Sequence, residues 1–466
     1  MKVLLVNISL RPDSPKLIFP IGLGYIATAV ARAGFDFEIL DLDAHRLSDA
    51  DLERELAARD FDVAAFGCIV TGYSKAKALA AAVRRQRPQA RIIAGNTVAS
   101  SIPRFVLERT EVDVAVLGEG DITIVELLRA LDANRPLDDV RGIVFKDRDG
   151  LHATAPRPVI RSIDEIPMIE RDLFDMPVYL DRSREYVDEP YPLPFESLRA
   201  MPVNTARGCP HACTFCYHAF RGVRYRTRSP QSVCREIAHL AERYGVNYVH
   251  FWDELTFHSR PQCEAFLDAL LRSDFHVHWT ADCRSDLFRE HDLPLARKAR
   301  EAGCVGLGFS LESANREILK AMNKHLSPED FVTQARVLRQ AGIVVWTSLV
   351  LGYPQETEET IAETFDLCRE NDIYPSAGYL LPQPGTPMYD YALAHGIITD
   401  EETYLMAMGD RQDLRVNFTR MAPEQMEALV RDHLARINER LQLGLASDGL
   451  IKTGHYRAKP AEPAAT

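Results

Sequence analysis

Apolar and polar positions along this 466-residue chain fall into two rhythmic stretches separated by a broken one. In the first, residues 1–132, short apolar runs at 3–6, 37–40, 63–67, 91–95 and 112–117 predict five strands. Between them apolar residues recur at helical spacing over 21–32, 51–59, 74–85 and 122–131, and Gly34 stops the first helix. This alternation predicts an open parallel sheet with helices on its faces. Residues 133–195 lose the rhythm and carry prolines at 136, 156, 158, 167, 177, 190, 192 and 194. They are expected to form a linker with one hairpin near 142–153, part of it packed near a site.

The rhythm resumes over 196–400, with strands expected at 203–206, 248–252, 277–280, 305–310, 344–351 and 377–381. Helices are expected at 230–244, 261–272, 293–302, 314–341 with a break at Pro328, and 357–371. Six such βα units predict a curved parallel sheet. Residues 401–457 are expected to be a mostly helical cap, whose clearest helix spans 423–443, and 458–466 a disordered tail. No internal repeat is visible.

Composition narrows the field. Apolar residues make up 46% and charged residues 26%, the proportions of a soluble globular chain. Against 67 acidic side chains stand 55 basic ones, a formal net charge of −12. That balance disfavours nucleic acid and anionic membrane surfaces as partners. No apolar run reaches the ~18 residues of a spanning helix. The opening MKVLLVNISL meets Arg11 and Asp13 at once and reads as a first strand rather than a signal peptide. Three of the nine cysteines fall within eight residues, which suits a reducing cytoplasm and one metal site better than a disulfide framework.

Those three, Cys209, Cys213 and Cys216, form C-x3-C-x2-C just after the first strand of the second stretch. Three thiolates suit a [4Fe–4S] cluster with one iron left for an exchangeable ligand. A structural zinc needs a fourth protein ligand, which His211 or His218 could supply.

The segment 207–217, RGCPHACTFCY, resembles the cluster loop of radical S-adenosylmethionine (SAM) enzymes. The resemblance runs on in order through Tyr225-Arg226-Thr227-Arg228-Ser229-Pro230, Phe251-Trp252-Asp253-Glu254, Gly308-Phe309-Ser310-Leu311-Glu312-Ser313, Gly352-Tyr353-Pro354 and Pro384-Gly385-Thr386-Pro387. It implies a partial (β/α)6 TIM-like barrel over 196–400, with its site at the strand carboxyl ends. It also implies a cluster on the three cysteines and reductive cleavage of SAM to a 5′-deoxyadenosyl radical. SAM contacts are then expected from Phe215, Asp253, Glu254, Ser310, Glu312 and Gly352. Tyr217 and His218 line the same loop without an assigned role.

Residues 1–132 resemble the Rossmann-like cobalamin-binding domain that precedes many radical SAM domains. Ligands of open parallel sheets sit beyond the strand carboxyl ends. Small residues gather there, so Thr71, Gly72, Tyr73, Ser74, Gly95, Asn96, Thr97, Gly118, Glu119 and Gly120 are expected to line the corrin, with Tyr73 a candidate beneath the cobalt. Two patterns mislead. Gly22-Leu23-Gly24-Tyr25-Ile26-Ala27 mimics a dinucleotide fingerprint but starts some 14 residues after the first strand. Asp43-Ala44-His45 mimics a cobalt-ligating D-x-H but follows the second strand, so His45 is expected at the surface. The tRNA methylthiotransferases are set aside, because only Cys68 precedes residue 209.

The expectation is therefore a cytoplasmic, cobalamin-dependent radical SAM enzyme. It would methylate an unactivated carbon of a small molecule and draw electrons from a flavodoxin or ferredoxin. A cyclase or ring-rearranging enzyme with the same cofactors, and a non-catalytic corrinoid- or zinc-binding sensor, are the alternatives.

Overall fold

The computed structural model describes residues 1–217, 219–409 and 412–451. His218 and the expected tail 458–466 lie outside the described residues. The first sheet contains β1 (Lys2–Asn7), β2 (Asp36–Asp41), β3 (Val63–Gly67), β4 (Arg91–Gly95), β5 (Val114–Val116), β6 (Ile143–Asp147) and β7 (Gly150–Ala153), in spatial order β2-β1-β3-β4-β5-β6-β7. The first five are mutually parallel, as expected. The hairpin β6–β7 joins them antiparallel along β5, so part of the expected linker is the sheet's own edge.

Why these runs are apolar throughout follows from the helices on both faces. Val3 and Leu5 of β1 enter one core, shared with helices Ile21–Arg32 and Gly120–Asp132. Leu4 and Val6 point the other way and pack on helices Asp49–Ala58 and Tyr73–Gln86. Ser48 starts Asp49–Ala58 with a capping box.

The second parallel sheet follows with β8 (Ala200–Val203), β11 (Tyr248–Phe251), β12 (His278–Asp282), β13 (Cys304–Gly308) and β14 (Val344–Trp346), each beside the next. Two short antiparallel strands, β9 (Ala206–Arg207) and β10 (Arg226–Thr227), interrupt the sequence and bracket the cysteine loop. The fifth barrel strand breaks at Thr347. Its second part, β15 (Ser348–Leu351), pairs with β16 (Ser376–Tyr379), and Glu312 bridges to Leu349. Six βα units thus close partway round a barrel. Ser327 caps and Pro328 begins helix Pro328–Gln340, which separates it from Arg316–Ala321 as the proline predicts.

The C-terminal helices are Pro387–Ala394, Glu401–Ala407 and Pro423–Leu441. The last sinks Met426, Val430, Leu434 and Ile437 into the barrel core beside helix Glu358–Glu370. Glu401–Ala407 reaches instead to the first domain, where Lys77 pairs with Glu402.

The proline-rich stretch sews the two halves together. Tyr179 donates its hydroxyl to Asp41 at the end of β2, and Arg182 donates to Ala44 O at 2.9 Å. Arg171 reaches the barrel and pairs with Glu236 at 2.7 Å, both side chains almost wholly buried, while Arg228 holds the other Glu236 oxygen. These two guanidinium groups more than offset the burial of Glu236 and hold its carboxyl below the usual range.

Glu236→Ala leaves two buried guanidinium groups without their carboxylate. Stability is expected to fall by about 3–5 kcal/mol, read as a lower urea midpoint. A loss under about 1 kcal/mol would show that the triad is not a structural anchor.

Candidate active site between the two sheets

The cysteine loop runs from Gly208 to Val223 across the mouth of the barrel. Its backbone is pinned from several sides, which a loop of three reactive thiols needs in order to hold one geometry. Thr214 donates from N to Met322 O at 2.9 Å and from Oγ1 to Ala321 O at 3.0 Å. Arg221 donates to the carbonyls of Ala212, Cys213 and Cys216 at 2.9–3.2 Å. Asn323 adds a further bond to Ala212 O at 3.0 Å.

None of the three cysteines is in a disulfide. Loss of bulk water around each thiol raises its pKa, that of Cys216 to about 12 although it is the most exposed of the three. Cys213 and Cys209 oppose ionisation of Cys216, and Cys209 opposes that of Cys213. The Lys324 ammonium works the other way on all of them. Metal capture must therefore release protons from these thiols. His211, the other candidate ligand, faces the Arg284 guanidinium, and burial followed by that charge lowers its pKa to about 4. Among the described residues no three His, Cys, Asp or Glu side chains gather closely enough for one bare metal ion. Three thiols on one pinned loop, each under the influence of the Lys324 charge, suit a multi-iron cluster with an open iron.

Beside the loop stands Glu312, with φ of 62° and 5% exposure. Its backbone is held to β15 by Glu312 N to Ser348 O at 3.0 Å and Val350 N to Glu312 O at 3.2 Å. A non-glycine residue in that conformation persists because its surroundings fix it. One carboxylate oxygen takes Lys324 Nζ at 3.2 Å; the other is buried with no partner among the described residues. Burial works against the Lys324 charge, but Glu312 and the thiols outweigh it and raise its pKa. An orphaned buried carboxylate oxygen beside a cluster loop fits the hydroxyl or ammonium donors of SAM. Ser310 shares a hydroxyl contact of 3.1 Å with Ser348 on the same side. Phe215 is half-buried against the second core. Gly352 has φ of 106°, and a Cβ there would press on Met426 Cε at 3.3 Å.

Asp253 is placed differently from expectation. Its carboxylate is occupied by Thr205 N, Thr205 Oγ1, Ala206 N and Thr256 Oγ1 at 2.6–3.1 Å. It fastens the end of β8 to the start of the cysteine loop and has no acceptor to spare for SAM. Glu254 is exposed beside the loop and receives Gly208 N at 3.4 Å.

At the first sheet, Asn96 and Gly118 are exposed at the strand ends, with Gly95 half-exposed beside them. Space above Gly118 is open. Thr71 and Ser74 are half-buried nearby, and Thr97 Oγ1 accepts from Val70 N at 2.8 Å. Leu10 and Ile69, which sequence reasoning passed over, expose apolar side chains at 37% and 39% on the same edge. This open floor with an apolar rim fits the face of a large flat macrocycle. Four expected contacts fall out of it. Tyr73 is wholly buried edge-to-face on Phe105, so it does not stand beneath the cobalt. A Cβ on Gly72 would strike Leu10 and Cys68, and one on Gly120 would meet Ile26 at 2.9 Å, so both glycines serve packing. Glu119 is buried and points to the barrel. It accepts from Arg207 at 2.7 Å, Arg226 at 3.0 and 3.1 Å, and Ile160 N at 2.7 Å. Asp121 completes a two-pronged grip on Arg207 at 2.9 and 3.0 Å. His45 is exposed, as expected.

The carboxyl edge of one sheet thus faces the thiol loop of the other. That arrangement suits an iron–sulfur and SAM site opposite a corrin floor. The family profile described as the radical SAM superfamily matches residues 203–368, and the B12 binding domain profile matches residues 13–128. An uncharacterized methyltransferase of Pyrococcus horikoshii is 27% identical over 382 residues, covering 81% of this chain and 79% of the relative. The anaerobic magnesium-protoporphyrin IX monomethyl ester cyclase of Cereibacter sphaeroides is 28% identical over 380 residues, covering 79% of this chain but 60% of the cyclase. Among solved structures, the radical SAM methyltransferase TsrM of Kitasatospora setae, with cobalamin and a [4Fe–4S] cluster bound, shares the fold. Its TM-score is 0.65 at 21% identity, over 85% of this chain and 75% of TsrM.

Glu356 holds the Gly352 turn by accepting from Gly352 N and, at 3.0 Å, Tyr353 N. Burial raises its pKa from 4.5 to about 7. Its contribution to stability is therefore full below 4.5 and is lost as pH rises through about 7. Glu356→Gln is expected to gain on the native chain across that window, by up to about 3 kcal/mol near pH 8. Thermal unfolding of both at several pH values checks this, and a difference independent of pH contradicts it.

Proposed function

We propose that the chain is a cobalamin-dependent radical SAM enzyme that methylates an unactivated carbon of a small-molecule substrate held between the two carboxyl edges. The observation that carries this reading is the grip of Arg207 and Arg226 on Glu119. Both arginines sit on the hairpin that brackets the cysteine loop, and Glu119 sits at the corrin edge. When bound, the cluster and SAM supply hydrogen abstraction from an inert carbon, and cobalamin supplies a transferable methyl group.

The chain's own residues position and enclose. Cys209, Cys213 and Cys216 would hold the cluster. Glu312, oriented by Lys324, would accept from SAM, and Ser310, Gly352 and Phe215 would border it. Gly95, Asn96, Thr97, Gly118, Thr71 and Ser74 would floor the corrin. Tyr186, from the connecting stretch, packs edge-on against Trp252. No helix among the described residues is long and apolar enough to cross a membrane. A flavodoxin or ferredoxin in the cytoplasm would deliver the electrons.

The relationship to the Cereibacter sphaeroides cyclase favours a second reading, ring closure without methyl transfer. S-adenosylhomocysteine separates the two, because only methylation of cobalt generates it. Anaerobic protein loaded with iron, sulfide and cobalamin is expected to hold about four irons per chain, and with SAM and a strong reductant to release both 5′-deoxyadenosine and S-adenosylhomocysteine. Cys213→Ala should lose the iron and the 5′-deoxyadenosine together. Release of 5′-deoxyadenosine without S-adenosylhomocysteine would replace methylation with the cyclase reading.

A further inference from the structure

The barrel presents one wall that the cofactors do not account for. Strand register puts His250 opposite Thr280, Asp282 opposite Gly308, and Gly308 opposite Trp346. Trp252 lies two residues past His250, so Trp252, Asp282, Gly308 and Trp346 form one level across four neighbouring strands. Residues of the other parity, Phe251, Trp279, Ala281 and Leu307, are in the core beneath the helices. The level therefore faces the concave side.

Two glycines on β13 make room for what stands there. A Cβ on Gly306 would collide with the Trp346 ring, and one on Gly308 with both Trp346 Nε1 and Asp282 Oδ1. The indole of Trp346 thus lies across β13 and donates its N–H to Asp282. Trp252 and Trp346 are 40% and 39% exposed, which is unusual for tryptophans inside a barrel mouth. The Tyr186 ring meets Trp252 edge-on, 5.8 Å between centroids.

Asp282 is open to the mouth but walled by protein. Loss of bulk water, then the nearby Asp253 carboxylate, raises its pKa to about 7, against the pull of the Trp346 N–H. The charge acting on it is another carboxylate, and among the described residues no cation offsets it. A carboxylate at the N–H edge of one indole and level with a second, with no countercharge of its own, is completed by a cationic nitrogen. Such a group gains both a charge-assisted hydrogen bond and attraction to the aromatic faces.

We propose that this wall is the substrate-recognition surface, and that the substrate presents a protonated amine to Asp282 with its apolar body against Trp346 and Trp252. The proposal rests on the enzyme reading above for placing a substrate in the barrel mouth. Glu312, with its open oxygen, leaves SAM to the β13–β15 side.

Calorimetric titration of the anaerobic, cofactor-loaded protein with 2-phenylethylamine and with its neutral isostere 2-phenylethanol tests this directly. The amine is expected to bind at least about tenfold more tightly. Asp282→Asn should abolish that preference while leaving SAM affinity unchanged, and Trp346→Leu should weaken both probes. Equal binding of the two probes, or no amine binding at millimolar concentration, overturns the proposal. So does loss of SAM affinity in Asp282→Asn, which would assign the carboxylate to SAM. S-adenosylhomocysteine release from the same preparations separates the two claims. Amine preference without it removes methyl transfer alone, and its release without amine preference removes the amine site alone.

Discussion

The contact on which the remaining geometry depends is the buried pairing of Glu119 with Arg207 and Arg226. Chemistry shared between two cofactors on separate domains works only if their separation is fixed. The Glu119 carboxylate leaves the end of the first sheet and is taken by two guanidinium groups of the hairpin that carries the cysteine loop. Asp121 adds a fork on Arg207, and Arg226 also donates to Ile160 O from the connecting stretch. An apolar contact of this size could slide, whereas a two-pronged carboxylate–guanidinium pair admits one orientation. Such a contact gives up solvation on both sides, and breaking half of it leaves an uncompensated charge.

Around that clamp the connecting stretch acts as a second splint. Arg171 is anchored in the barrel by Glu236, and Tyr179 and Arg182 are anchored in the first sheet by Asp41 and Ala44. Its proline content suits this use. A chain that must run extended between two surfaces, donating side chains rather than backbone to either, loses little by giving up helical and ladder hydrogen bonds.

How much of this was legible in the sequence depended on the range of the interaction. The strands and helices of both halves follow from local periodicity, and the three cysteines announce their chemistry because a cluster loop is local in sequence. Glu119 and Asp253 were read as cofactor contacts because each sits in a short motif at a strand end. Their true partners lie 88 and 107 residues away for Glu119, and 47–49 away for Asp253. No local pattern encodes such pairings. Tyr73 failed for the opposite reason: it follows a strand end but its helix turns it inward onto Phe105. Lys324 went unnoticed because only the fold brings it to Glu312. The Trp346–Asp282 wall depends on strand register together with Gly306 and Gly308, and neither signal is visible alone.

Three residues that break ordinary rules cluster at the strand carboxyl ends of the barrel. Glu312 holds a positive φ with a carboxylate oxygen left unpaired, Glu356 is an acid buried without a cation, and Asp282 is an acid facing another acid. Elsewhere the buried carboxylates are answered: Glu236 by Arg171 and Arg228, Glu119 by Arg207 and Arg226. Where a fold can satisfy its buried charges and does so at its joints, the places where it leaves them open are places kept for something else. Glu356 spends one oxygen on the Gly352 turn near Glu312, and its other oxygen is buried with no partner among the described residues. Glu312 stands beside the thiols and Asp282 beside the Trp346 indole, and two separate ligands meet that demand better than one.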